Sequence, residues 1–241
     1  MEKIDPALPE WVFKQASLGP GIKVEGENNL HTRFWYYLTM CCPLIFEKYV
    51  VVLHPYWINY EVKKLIKAGS IIPNDLKKKY EFESLNWVDF FQNYGKKFDF
   101  DTALLKQEEI RKELLNPQWP EYVWFPAEGD LENKNLIAVR NAIKDTYGDV
   151  EVNYYYCLLK TRDIESEIIY KGKLSQLEQL WAKDDIRDNP TAIFPNSKEW
   201  CVVTDYDLPY TYIGGSNELI QKLLESKNLD IFSIEPRFAG L

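Results

Sequence analysis

Residues 200–224 read WCVVTDYDLPYTYIGGSNELIQKLL: an apolar strand, an acidic turn, a second strand and a helix in direct succession. Both 200–204 and 210–213 are rich in β-branched and aromatic residues, the composition of a strand. Asp205-Tyr206-Asp207-Leu208-Pro209 between them is turn chemistry, because Asp side chains bond nearby amides and proline presets the backbone. Ser216 then precedes Leu219, Ile220 and Leu223 at helical spacing, so it predicts an N-cap, and Glu218 complements the helix dipole.

Working outward, the same two periods alternate along the chain. YVVVLH at 49–54 is apolar throughout and predicts a buried strand; Val62, Leu65 and Ile66 place a helix over 59–68. Residues 83–94 predict a second helix, and a third starts after Asp101 and stops at Asn116-Pro117, since the residue before proline avoids the α region. Residues 122–125 read as a short strand, 133–147 as a helix, and VEVNYYYCLL at 150–159 as the longest strand. Further strands fall at 167–170, 191–194 and 229–234. Ser175 and Glu178 have capping-box spacing at the start of another helix. The expected class is α+β, a largely antiparallel mixed sheet with helices packed on it. Two halves are expected, a helix-rich α/β half over 1–116 and an acidic α+β half over 117–241, or else one continuous domain.

With 46% hydrophobic and 15% aromatic residues in 241, the chain carries enough apolar material for a substantial core. The net charge of −8 is uneven: +1 over residues 1–100 and −9 over residues 101–241. That acidity argues against nucleic acid as a partner, because phosphate binding depends on Lys and Arg. The most apolar window, residues 34–46, is too short for a membrane span of ~20 residues and contains Pro43. No signal-peptide apolar run follows Met1. Cys41, Cys42, Cys157 and Cys201 all sit among apolar neighbours, so a cytoplasmic protein with reduced thiols is expected.

Candidate chemistry is sparse. Gly214-Gly215 before a helix start suggests an anion-binding turn, yet the spacing fits neither dinucleotide nor P-loop patterns. The simpler expectation is a sharp turn with Ser216 as cap. Asp205 and Asp207 alternate after a strand and form a candidate carboxylate pair, but no third metal ligand lies nearby. His31 and His54 are the histidines, and His54 fits a buried residue with a backbone partner. There is no C-x-x-C and no G-x-S-x-G, so no metal, no cofactor and no catalytic residue is expected. The chain reads as non-enzymatic. Asp205, Tyr206, Asp207, Tyr210 and Tyr212 form a candidate acidic, aromatic loop for a basic protein partner. Trp119 and Trp124, in the proline-flanked NPQWPEYVWFP, are the tryptophans expected to be exposed. With Gly214, Gly215 and Ser216 they are the candidate ligand-facing residues.

Trp200, Asp205, Asp207, Thr211, Gly214, Gly215 and Ser216 together resemble a C-terminal module that recurs among bacterial proteins similar to immunity proteins of toxin systems. The resemblance implies an acidic, cytoplasmic α+β protein that binds and blocks a cognate toxin. The alternative expectation is a protein that binds or processes carbohydrate or another small polar ligand. It would use aromatic walls and a carboxylate pair drawn from Asp205, Asp207, Asp184 and Asp185. A third is a subunit whose exposed aromatics are covered by its own copy, a homo-oligomer.

Overall fold

Strand β2 (Lys48–Leu53) buries every side chain from Tyr49 to Leu53, which a strand does only when both faces of its sheet are covered. The computed structural model describes residues 1–4, 12, 34, 37, 38, 40–71, 81–114, 120–227 and 229–235. Within them, β2 lies inside an eight-stranded sheet that also contains β1 (Glu2–Ile4), β6 (Glu151–Tyr156), β7 (Ile168–Lys173), β8 (Ala192–Pro195), β9 (Cys201–Val203), β10 (Tyr210–Gly215) and β11 (Ile231–Ile234). The order is β1-β7-β6-β8-β9-β10-β2-β11 and every ladder is antiparallel. A small second sheet joins β4 (Glu83–Leu85), β3 (Tyr56–Ile58) and β5 (Val123–Trp124), also antiparallel. The fold is α+β, with helices packed on the sheets. Strands from both sides of residue 116 share the large sheet, because β2 pairs with β10 and β11.

The strand period of two sorts the core into two layers. Tyr49, Val51 and Leu53 join one cluster with Phe34, Leu38, Trp87, Phe90, Phe91 and Ile110. Val50 and Val52 join the other, with Leu136, Val139, Leu177, Leu219 and Leu223. The first face is covered by α2 (Trp87–Asn93), α3 (Ala103–Leu114) and the small sheet; α1 (Tyr60–Lys67) adds Val62 there. The second is covered by α4 (Asn133–Tyr147), α5 (Asn217–Leu224) and a 3-10 helix, Leu174–Ala182.

Local chemistry explains where the elements depart from their periodicity. Residues 83–94 are not one helix: Asn86 accepts from the Asp89 amide at 2.7 Å and starts α2, leaving β4 before it. Ser175 does not cap. Its amide and hydroxyl both donate to Asp149 at 2.8 Å, while Gln176 Oε1 accepts from the Lys173 amide at 2.9 Å. The strand over 150–159 ends at Tyr156, because Leu158 turns left-handed at φ +54° and opens a short 3-10 turn, Leu158–Lys160. The proposed helix stop at Asn116-Pro117, His31 and Trp119 lie outside the described residues.

Candidate functional site

At one end of the large sheet, the last residues of β2, β6 and β9 meet the first of β8 and β10. This end is polar and buried. His54 Nδ1 lies 2.5 Å from the Ala127 carbonyl and Nε2 lies 3.0 Å from Thr211 Oγ1, which is 2.7 Å from Thr204 Oγ1. Burial, reinforced by the nearby Lys160 charge and only partly opposed by Ala127, pushes the imidazole down to about 3. It is therefore neutral. Since a carbonyl only accepts, Nδ1 carries the proton and Nε2 accepts from Thr211, whose oxygen in turn accepts from Thr204.

Beside this chain sits Lys160, 2% exposed. Its ammonium donates to Pro190 O at 3.3 Å and feels Asp130, Asp188 and Asp205, yet burial dominates and pushes it down to about 8. Asp205 moves the opposite way, up to about 6, first through burial and then through the Asp207 carboxyl. Its Oδ1 accepts from the Asp207 amide at 3.2 Å, and the Cys41 thiol lies 3.9 Å from Oδ2. The turn over 205–208 is held from behind by Gly129, whose amide donates to Leu208 O at 3.0 Å. Gly129 has φ +69°, and a Cβ there would lie 2.6 Å from Tyr206 O, so only glycine fits.

Lys160 also belongs to a loop whose interior is polar and whose exterior is apolar. Thr161 is fully buried, and its Oγ1 lies 2.6 Å from Asp163 O and 2.8 Å from Leu158 O, tying the loop onto itself. The Arg187 amide donates to Lys160 O at 2.8 Å and the Arg162 amide to Asp185 O at 3.0 Å, docking it on residues 184–187. Turned outward are Leu158, Leu159 and Ile164, 44, 49 and 53% exposed. Leu158 holds its left-handed conformation at a cost of ~1–2 kcal/mol for a residue with a Cβ. Around this end, exposed Asp163, Glu165, Asp184, Asp188 and Asp207 outnumber exposed Arg162 and Arg187.

The expected loop residues divide. Asp205 and Tyr206 are half-buried and Asp207 is exposed. Tyr210 and Tyr212 are buried and do not face a partner: the Tyr210 ring packs edge-on to Phe34 at 4.4 Å, and the Tyr212 hydroxyl donates to Phe34 O at 2.7 Å. Gly214 and Gly215 do not form an open turn either. They end β10, where a Cβ would strike the Phe46 ring or the Leu219 side chain. Ser216 caps α5, accepting from the Leu219 amide at 3.3 Å, and its oxygen lies 2.8 Å from the Tyr147 hydroxyl. These three positions serve packing. Trp124 is partly exposed on β5, against Phe82 at 4.8 Å. Asp185 is engaged by Lys3 at 2.5 Å and the Tyr170 hydroxyl at 2.7 Å, whereas Asp184 is exposed.

Lys160 and the loop around it match no motif. Their one sequence signal is the order Leu158-Leu159-Lys160, a charge placed where an apolar strand pattern runs out. The described cysteines are free, and among the described residues no cluster of three or more His, Cys, Asp or Glu is placed to hold a metal. No helix among the described residues is long and apolar enough to cross a membrane. No family model matches the chain, and neither a curated protein nor a solved structure does.

Proposed function

We propose that the chain is a non-enzymatic protein-binding module of the toxin-neutralising type, seating a basic protein on the loop over 157–166. One observation carries this reading: Leu158, Leu159 and Ile164 point outward from a loop whose Lys160 and Thr161 are buried beneath it. A loop already fixed in one conformation loses little freedom on binding, so its apolar groups act as ready anchors. The surrounding carboxylates favour a cationic partner and speed the encounter. Tyr206 and Asp207 extend that rim. The resemblance of 200–224 to immunity-type proteins makes a toxin the partner class that fits.

The test is affinity capture from host lysate on the immobilised full chain, at low and high salt, beside a Leu159→Arg/Ile164→Arg variant. A basic protein held in equal stoichiometry by the wild type, released by salt and missed by the variant supports the reading. Equal capture by both chains refutes the loop, and no capture at either salt refutes the module.

A further inference from the structure

Away from that loop, a cleft of about 390 Å³ opens between the end of β2, β4, the start of α2, α4 and the segment leading into β11. Its volume lies within the range of small-molecule sites. Two features of its wall ask for a ligand. Asn135, on α4, lines the cleft, is 7% exposed, and its side-chain amide has no hydrogen-bond partner among the described residues. That amide meets the solvent of the cleft, where a ligand's polar group can take the place of water.

The second feature is charge. Asp230 Oδ2 accepts from the Trp87 amide at 2.5 Å. Asp89 also lines the cleft, and its charge is felt by Asp230, which burial already pushes up to about 6. Of the two lysines in the wall, Lys134 is held by Glu132 at 3.2 Å and by Ser84, and Lys227 is exposed. With Glu132 the wall carries three carboxylates against two lysines, a balance that favours a cation. Leu85 and Ala138 supply apolar wall.

We propose that this cleft binds a small primary ammonium compound with an adjacent amide or hydroxyl group and a short apolar stem. Asp230 and Asp89 take the ammonium, Asn135 pairs with the neighbouring polar group, and Leu85 and Ala138 flank the stem. This site is independent of the loop over 157–166.

Three matched probes test it by isothermal titration: L-leucinamide, isoamylamine, which lacks the amide, and 4-methylpentanamide, which lacks the ammonium. L-leucinamide is expected to saturate the full chain with a Kd of about 1 mM or tighter, and each truncated probe to bind at least ~10-fold more weakly. Asn135→Leu should erase the advantage of L-leucinamide over isoamylamine. Asp230→Asn, which keeps an acceptor for the Trp87 amide, should erase its advantage over 4-methylpentanamide. The exposed Asp89→Asn should weaken both amines without touching the fold. The loop variant Leu159→Arg/Ile164→Arg should bind L-leucinamide like the wild type. Absence of saturable L-leucinamide binding, equal binding of all three probes, or indifference to both Asn135→Leu and Asp230→Asn overturns the proposal.

Discussion

Replacing Lys160 by Met should stabilise the protein at neutral pH. Burial lowers this ammonium from its ordinary 10.5 to about 8, a difference of ~2.5 units, or ~3.4 kcal/mol at ~1.4 kcal/mol per unit. That figure already contains the attraction of Asp130, Asp188 and Asp205, which act against burial. Met fills a similar volume without the charge, but leaves Pro190 O without its donor at a loss of ~1 kcal/mol. The net expectation is ~2 kcal/mol of stabilisation at pH 7, a rise in Tm of ~4–8 °C for a chain of this size. The pH dependence separates this cause from others. Between pH 8 and 10.5 the unfolded chain holds a proton on Lys160 that the folded protein has released, so wild-type stability rises with pH across that window. The advantage of Lys160→Met should be full below pH 8 and cross zero between about pH 9 and 10.5. Above that it should reverse by the ~1 kcal/mol of the lost hydrogen bond. Calorimetric melting at pH 7, 9 and 10.5 measures it. A variant that melts several degrees lower at pH 7, or a difference that does not change with pH, would refute the reasoning: the three carboxylates would then outweigh the desolvation of the ammonium.

His54 is held neutral, down to about 3, so the unfolded chain binds the extra proton as pH falls from 6.5 towards 3 and the fold loses up to ~5 kcal/mol. His54→Gln should flatten that acid limb, read as the urea midpoint at pH 6.5 and pH 4; an unchanged limb would assign acid unfolding elsewhere. Gly129→Ala should cost at least ~2 kcal/mol, combining left-handed strain with contact against Tyr206. Gly69→Ala shares the positive φ but meets open space, so in chemical denaturation it should cost clearly less; equal losses would remove the contact from the account. Leu158→Gly relieves the strain at φ +54° while adding chain entropy of ~0.5–1 kcal/mol. Its Tm should stay near wild type while capture of the basic partner falls, and retained capture would exclude Leu158 as an anchor.

Much of the architecture is legible from apolar period alone. The buried run in β2, the stripes of α1, α4 and α5, and the strand–turn–strand of β9 and β10 all carry unambiguous patterns. What periodicity does not contain is which faces are covered. Tyr210 and Tyr212 alternate as partner-facing residues would, but the sheet is buried on both sides and they point into the Phe34 layer. Nor does it separate β4 from α2, because Leu85, Val88, Phe90 and Phe91 fit one helix until Asn86 spends its side chain on the Asp89 amide. The site is still less legible. Asp205 and Asp207 are visible as a pair, whereas Lys160 becomes meaningful only when loops distant in sequence enclose it. Its burial is set by tertiary contacts, and a lysine after an apolar run ordinarily extends into solvent.

The position of β2 gives the chain a long interval of exposure during synthesis. Its partners β10 and β11 begin at Tyr210 and Ile231, so a ribosome adding ~5–20 residues per second makes β2 about 8–30 s before the first of them. Throughout that interval both edges of an apolar YVVVL segment lack the strands that will flank them, the condition under which strands pair with the wrong neighbour. Completion of the sheet therefore waits on β10 and β11, and a nascent chain stalled before β10 should be the species most prone to aggregate.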